Sequence, residues 1–157
     1  MRTPVQKLKS FLDENHVKYE TIHHSPDFTA QETAAHTHTR GRDFAKTVIV
    51  QVAREYAMAV LPAHHKVDLA KLRALAGAKE VRLATEPEMD RLCPDCETGA
   101  VPPFGILYGL PVWVSSTVAA DDRITFNAGT HQDAVRMTYT DFAKLVQPHV
   151  ADFSVLA

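Results

Sequence analysis

Ala45-Lys46-Thr47-Val48-Ile49-Val50-Gln51-Val52, followed by Tyr56-Ala57-Met58-Ala59-Val60-Leu61, is the stretch on which the fold of this chain turns. The first segment is a β-branched run with a lysine at its mouth, a composition that suits a buried strand. The second is apolar throughout and closed by Pro62, so it reads as the antiparallel partner of the first. Upstream, Val5, Leu8, Phe11 and Leu12 recur at helical spacing behind Pro4, which predicts an amphipathic helix over residues 5–15. Val17 to His23 alternates apolar and polar residues as a half-exposed strand does, and His23-His24-Ser25-Pro26 ends it. Thr29-Ala-Gln-Glu32 is a capping-box pattern that predicts a short helix to about His36, with a polar loop from there to Asp43.

Downstream, Asp68 is placed to cap a helix through Ala76, and Gly77 supplies its left-handed stop. Val81-Arg-Leu reads as a short strand. Thr85-Glu-Pro-Glu88 opens a second capped helix to about Leu92. Val112–Ser115, Arg123–Asn127 and Ala134–Tyr139 are predicted strands, and Thr140 or Asp141 is expected to cap a last helix from Phe142 to Val146. Strands and helices mix without a regular strand-helix-strand repeat. The expected class is therefore α+β, a mixed, mostly antiparallel sheet curling on itself with helices around it. At 157 residues, with no linker, repeat or low-complexity tract, residues 1–157 are expected to form one domain.

The formal net charge is only −2, so a broad basic footprint is absent and any nucleic-acid contact must be local. No apolar run approaches the ~20 residues that cross a bilayer, and the start lacks the apolar core of a signal peptide, which predicts a cytoplasmic protein without membrane contact. Cys93-Pro-Asp-Cys96 follows the 85–92 helix, at the end whose dipole disfavours a thiolate. No second Cys-x-x-Cys offers zinc its remaining ligands, so neither a metal nor another cofactor is expected. Most of the nine histidines are expected to be surface or turn residues, His36-Thr-His38 lacks a carboxylate partner at a telling spacing, and the serines are scattered without a nucleophile elbow.

Three features point to chemistry instead. Gly99-Ala-Val-Pro-Pro-Phe-Gly105 brackets a stiff diproline with glycines, so it presents main-chain groups that a ligand atom can approach closely. Lys46 stands where a loop enters an apolar strand, placing an ammonium at the rim of the core. His131, after the turn Asn127-Ala-Gly-Thr, is placed to hydrogen-bond a polar ligand or carry a proton near neutral pH.

Taken in order, the Thr29-Ala-Gln-Glu segment, Ala45-Lys-Thr with its strand, Val67-Asp-Leu-Ala-Lys-Leu, Val81-Arg-Leu-Ala, Gly99-Ala-Val-Pro-Pro-Phe-Gly and the Asn127–His131 turn resemble the YbaK and prolyl-tRNA synthetase-associated domains, which edit mischarged tRNA in trans. The resemblance covers nearly the whole chain. It implies an aminoacyl-tRNA deacylase that needs no metal, acting on an ester at the tRNA 3′ end, plausibly alanine or cysteine on a proline tRNA, with a synthetase as a possible further partner. It also implies a pocket in which Lys46 positions the substrate and the backbone of the Gly99–Pro103 loop, from Gly99, stabilises the oxyanion; His131 is the candidate for an assisting role. Phe28, Thr47, Ala100, Val101, Pro102, Pro103, Phe104, Gly105, Asn127 and Gly129 are the expected substrate contacts. The residues alone leave a second reading open: a non-catalytic module that binds an amino acid, nucleotide, tRNA end or synthetase in the same cleft.

Overall fold

In the computed structural model, which describes residues 2–23 and 44–157, the chain begins with α1 (Pro4–Glu14), β1 (Glu20–His23), β2 (Ala45–Val52), β3 (Glu55–Pro62), β4 (His65–Val67) and α2 (Leu69–Ala76). It continues with β5 (Val81–Leu83), α3 (Glu86–Leu92), β6 (Val112–Ser115), α4 (Ser116–Ala119), β7 (Arg123–Asn127), β8 (Asp133–Thr138), α5 (Tyr139–Val146), β9 (His149–Ala151) and β10 (Ser154–Leu156). The expected capping box at Thr29 and the expected contact Phe28 lie outside the described residues.

The hairpin that opened the sequence reading forms as expected: β2 and β3 pair antiparallel from Ala45 opposite Pro62 to Val52 opposite Glu55. They sit within a five-stranded sheet of order β5-β2-β3-β6-β9, in which β6 runs parallel to both β3 and β9. A second sheet, β1-β8-β7, is antiparallel throughout, and β10 pairs with β4 as a separate ribbon. The arrangement is the mixed, mostly antiparallel α+β fold read from the sequence, and it does not close into a barrel.

Side chains alternate across a strand, and β2 and β3 divide theirs between two cores. Ala45, Ile49, Met58 and Val60 face one, with Leu8 and Leu12 of α1, Ile124 and Phe126 of β7, and Phe142 of α5. Val50, Ala57, Ala59 and Leu61 face the other, with Leu72 of α2 and Phe153. Burial on both faces explains why these strands read as nearly unbroken apolar runs.

The helix ends follow from named side chains. Asp68 accepts from the Lys71 N–H, and Gly77 closes α2 at φ 64°. Thr85 and Glu88 form the reciprocal capping box of α3. A third box, Thr3 with Gln6, starts α1, one that the sequence reading did not pick out. The last helix starts earlier than expected, at Tyr139, because Thr138 ends β8 and its hydroxyl accepts from Asp141 N–H, leaving no loop between strand and helix. The short strands β4, β9 and β10 were also not expected. They are held partly by side chains: the Ser154 hydroxyl lies 2.8 Å from Ser115 Oγ and 2.8 Å from His65 Nδ1, so it ties β10 to β6 and β4.

Phe104 is the keystone of the first core. Its ring is fully buried and lies 6.0 Å from Phe11, 5.6 Å from Phe126 and 5.4 Å from Phe142, centroid to centroid. It thereby joins α1, β7 and α5. Replacing Phe104 with Ala is expected to cost roughly 3–5 kcal/mol, read as a lowered urea midpoint with little change in slope.

Candidate active site

The segment from Gly99 is built as a bolted loop. Gly99 takes φ 83°, a conformation that favours glycine. From Ala100 to Gly105 every residue is buried, the diproline included. Phe104 and Gly105, expected as substrate contacts, are committed to packing instead. The Phe104 ring is enclosed by three others, and a Cβ on Gly105 would stand 2.0 Å from the Leu110 carbonyl oxygen and 2.7 Å from Val112 Cγ2. The Ala100 N–H is also spent, donating to the Glu97 carbonyl at 3.0 Å, which corrects its expected role as a ligand donor.

The Asn127–His131 turn lies against the open end of this loop. Gly129, at φ 101°, is pressed on by α1, since a Cβ there would fall 2.4 Å from Pro4 Cβ. Four hydrogen bonds then join turn and loop. Gly129 N–H donates to the Ala100 carbonyl at 2.8 Å and Glu97 N–H donates to the Gly129 carbonyl at 2.8 Å. The His131 N–H donates to Glu97 Oε1 at 2.7 Å, and His131 Nε2 lies 2.7 Å from the Thr98 carbonyl oxygen. A carbonyl only accepts, so Nε2 carries the proton, and in the neutral ring Nδ1 is left as the acceptor.

These contacts aim two main-chain donors. A trans peptide carries its C=O and N–H on opposite edges of one plane. The turn holds the carbonyls of Thr98 and Ala100, so the N–H groups on the far edges, those of Gly99 and Val101, are directed away from it. Neither donates to an acceptor among the described residues. Of the N–H groups of the loop, these two are the ones that the turn orients.

The isolated parallel bridge between Phe44 and Thr125 sets β2 beside β7, and Lys46 and Asn127 each stand two residues further along. The backbone at Lys46 thus runs near the start of the turn. By alternation along β2, its side chain leaves on the face of the second core, and it opens on a cavity of about 280 Å³ shared with Val48, Lys66, Val67, Leu69 and Leu83. It makes no ion pair among the described residues, and burial pushes its ammonium below the ordinary lysine range. Thr47 leaves on the opposite face, the one on which Val101 and Phe104 pack. Its Oγ1, like Asn127 Oδ1, is buried with no hydrogen-bond partner among the described residues.

The structure therefore brings Gly99, Ala100, Val101, Gly129 and His131 together, with Asn127 at the head of the turn. Lys46 stands across β2 from the loop. Glu97, which touches both loop and turn, escaped the sequence reading. Its partners in the turn, Gly129 and His131, lie more than thirty residues away, beyond any local pattern. The cysteines take no part: burial raises Cys93 to about 12 and Cys96 to about 11, so both remain thiols at neutral pH.

Comparison with known proteins bears on this geometry. Residues 24–145 match the aminoacyl-tRNA editing domain family. The chain is 25% identical over 153 residues to the multifunctional Ser/Thr-tRNA deacylase ProXp-y of Escherichia coli strain K12, covering 94% of this chain and 91% of that protein. It is 26% identical over 108 residues to a proline–tRNA ligase of Geobacillus sp. strain WCH70, covering 69% of this chain and 19% of the ligase. A crystal structure proposed as a trans-editing enzyme for prolyl tRNA synthetase superposes with a TM-score of 0.84 at 21% identity, covering 99% of each chain, which shows a shared fold.

An unpaired, partly desolvated ammonium burdens the folded state. Lys46→Met is accordingly expected to raise the thermal midpoint at pH 7. The lowered pKa fixes the sign of the pH dependence: the wild type sheds its penalty as pH rises through that pKa, so the gap between the two proteins narrows toward pH 10.

Proposed function

The chain belongs to the aminoacyl-tRNA editing domain family, and from that premise we propose that it hydrolyses the ester joining a small amino acid to the 3′-terminal ribose of a mischarged tRNA. The observation that carries this reading is the pair of oriented, unspent N–H groups at Gly99 and Val101. Water adds to the ester carbonyl carbon, and the carbonyl oxygen takes up negative charge. Two fixed donors stabilise that charge without reorganising, an effect worth ~3 kcal/mol per donor in other acyl-transfer sites. The intermediate then collapses, the ribose oxygen leaves with a proton, and free amino acid and tRNA are released.

Lys46 serves the substrate rather than the oxyanion. Its place across β2 suits a phosphate of the terminal nucleotides, held so that the ester on the next sugar meets the loop. Among the described residues, no side chain at the loop stands out as a general base. Resemblance to the family points to the free ribose hydroxyl of the substrate as the group that helps to activate water, with His131 Nδ1 available to assist. Residues 1–157 act as one editing domain in this reading.

The amino acid follows from what is left unpaired. An unsatisfied buried polar atom costs roughly 1–3 kcal/mol, and among the described residues Thr47 Oγ1, on the face of β2 toward the first core, and Asn127 Oδ1, at the head of the turn, are two such atoms. A substrate hydroxyl would satisfy them, and a site that hydrogen-bonds a hydroxyl discriminates against the analogue that lacks it. We therefore favour serine or threonine over the alanine or cysteine expected from the sequence, in keeping with the name of the Escherichia coli relative. The likeness to part of a proline–tRNA ligase supports a synthetase as the source of tRNA selection.

The test is a panel of tRNAs carrying labelled Ser, Thr, Ala, Cys or Pro, incubated with the wild type and with Lys46→Ala. Release of serine or threonine at least tenfold faster than proline, lost in the folded variant, is the expected result. Saturable binding of the charged ends without release of any amino acid would replace the hydrolase with the binding module.

A further inference from the structure

We propose that Glu97 is a positioning residue for this hydrolysis, holding the Gly99 donor in register by gripping the backbone of His131; the inference rests on the editing reading above. Glu97, Thr98 and Gly99 are exposed, whereas the chain is buried from Ala100 onward. The donor at Gly99 therefore sits on the one stretch of the loop that the core does not hold. Glu97 meets that need from three of its atoms. Its N–H donates to the Gly129 carbonyl, its carbonyl accepts from Ala100 N–H, and its carboxylate accepts from His131 N–H at 2.7 Å.

The last contact closes a circuit. Glu97 Oε1 fixes the His131 backbone, and the His131 ring reaches back to the Thr98 carbonyl at 2.7 Å. The same Thr98–Gly99 peptide carries the Gly99 N–H on its other edge. Neighbouring carboxylates are engaged elsewhere: Asp95 pairs with Lys7 Nζ at 2.5 Å, and Asp133 accepts from Thr130 Oγ1 at 2.7 Å. Among the described residues, then, Glu97 alone supplies an acceptor to His131 N–H. Its carboxylate is engaged by the His131 backbone. It acts through the orientation of a donor that matters most when charge develops on the substrate oxygen, so its loss should appear in kcat more than in KM.

The decisive comparison is Glu97→Ala against Glu97→Gln, whose side-chain carbonyl can still accept from His131 N–H. On seryl- or threonyl-tRNA, the alanine variant is expected to lose tenfold to a hundredfold in kcat with KM within about twofold, and the glutamine variant to recover to within about threefold of the wild type. Amide hydrogen exchange read in parallel should show faster exchange at His131 and Gly129 in the alanine variant only. Wild-type kcat in Glu97→Ala, a loss confined to KM, or a glutamine variant as slow as the alanine one would overturn the assignment. A wild type that releases no amino acid from any charged tRNA would instead sink the editing reading itself. The exchange data would still decide whether Glu97 orders the loop.

Discussion

Two carbonyls, those of Thr98 and Ala100, are turned toward the same neighbour and held there by His131 Nε2 and the Gly129 N–H. Because a peptide group is planar, fixing an oxygen on one edge fixes the hydrogen on the other. The two N–H groups that remain, at Gly99 and Val101, are therefore placed by contacts that no substrate makes. The diproline that follows adds stiffness without adding competing donors. Beyond it, Phe104 is sunk among three aromatic rings, so the loop is anchored in the core at one end and latched to the turn at the other. Preorganisation of this kind is what an oxyanion site requires, since donors that must first reorient give back much of what they contribute.

Much of this was legible in the sequence where a local rule applies. The β2–β3 hairpin announced itself through composition, α2 and α3 through their caps, and the loop through its glycines and prolines. What escaped was set by partners distant in the chain. Phe104 reads equally well as a pocket wall or as core until Phe11, Phe126 and Phe142 are seen around it. Ala100 has an N–H like any other until Glu97 turns back to accept it. Glu97 itself has no signature, because its carboxylate answers a backbone group on another turn. The three-residue strands β4, β9 and β10 are too short to show a period, and they exist because neighbouring strands offer them edges.

Strand β2 carries a further consequence of alternation. Adjacent residues serve opposite faces, so Lys46 and Thr47 offer a cation to one side and a hydroxyl to the other from consecutive positions. Both are unfavourable for folding as they stand, the ammonium partly desolvated without an ion pair and the hydroxyl buried without a partner among the described residues. Groups that the fold leaves unsatisfied on the two faces of one strand are better explained by a ligand than by stability. Asn127, with its own buried and unpaired oxygen, belongs to the same group of atoms. The hairpin can tolerate these costs because the remainder of β2 and β3 is buried on both faces.

The charge of the chain bears on how such a site would meet its substrate. A protein of formal net charge −2 cannot gather tRNA through a broad positive field, and phosphate contacts are the usual source of nonspecific affinity. Here Lys46 and Lys66 line one cavity, which brings two cationic groups together at a single place. Contacts limited to the charged end of the molecule give weak, readily reversible binding. That weakness would suit editing: correctly charged tRNA must leave intact, and in the proposed reading discrimination falls to the fit of the amino acid against Thr47, Asn127 and the loop in the transition state. Selection among tRNA bodies would have to come from a partner that holds the rest of the molecule.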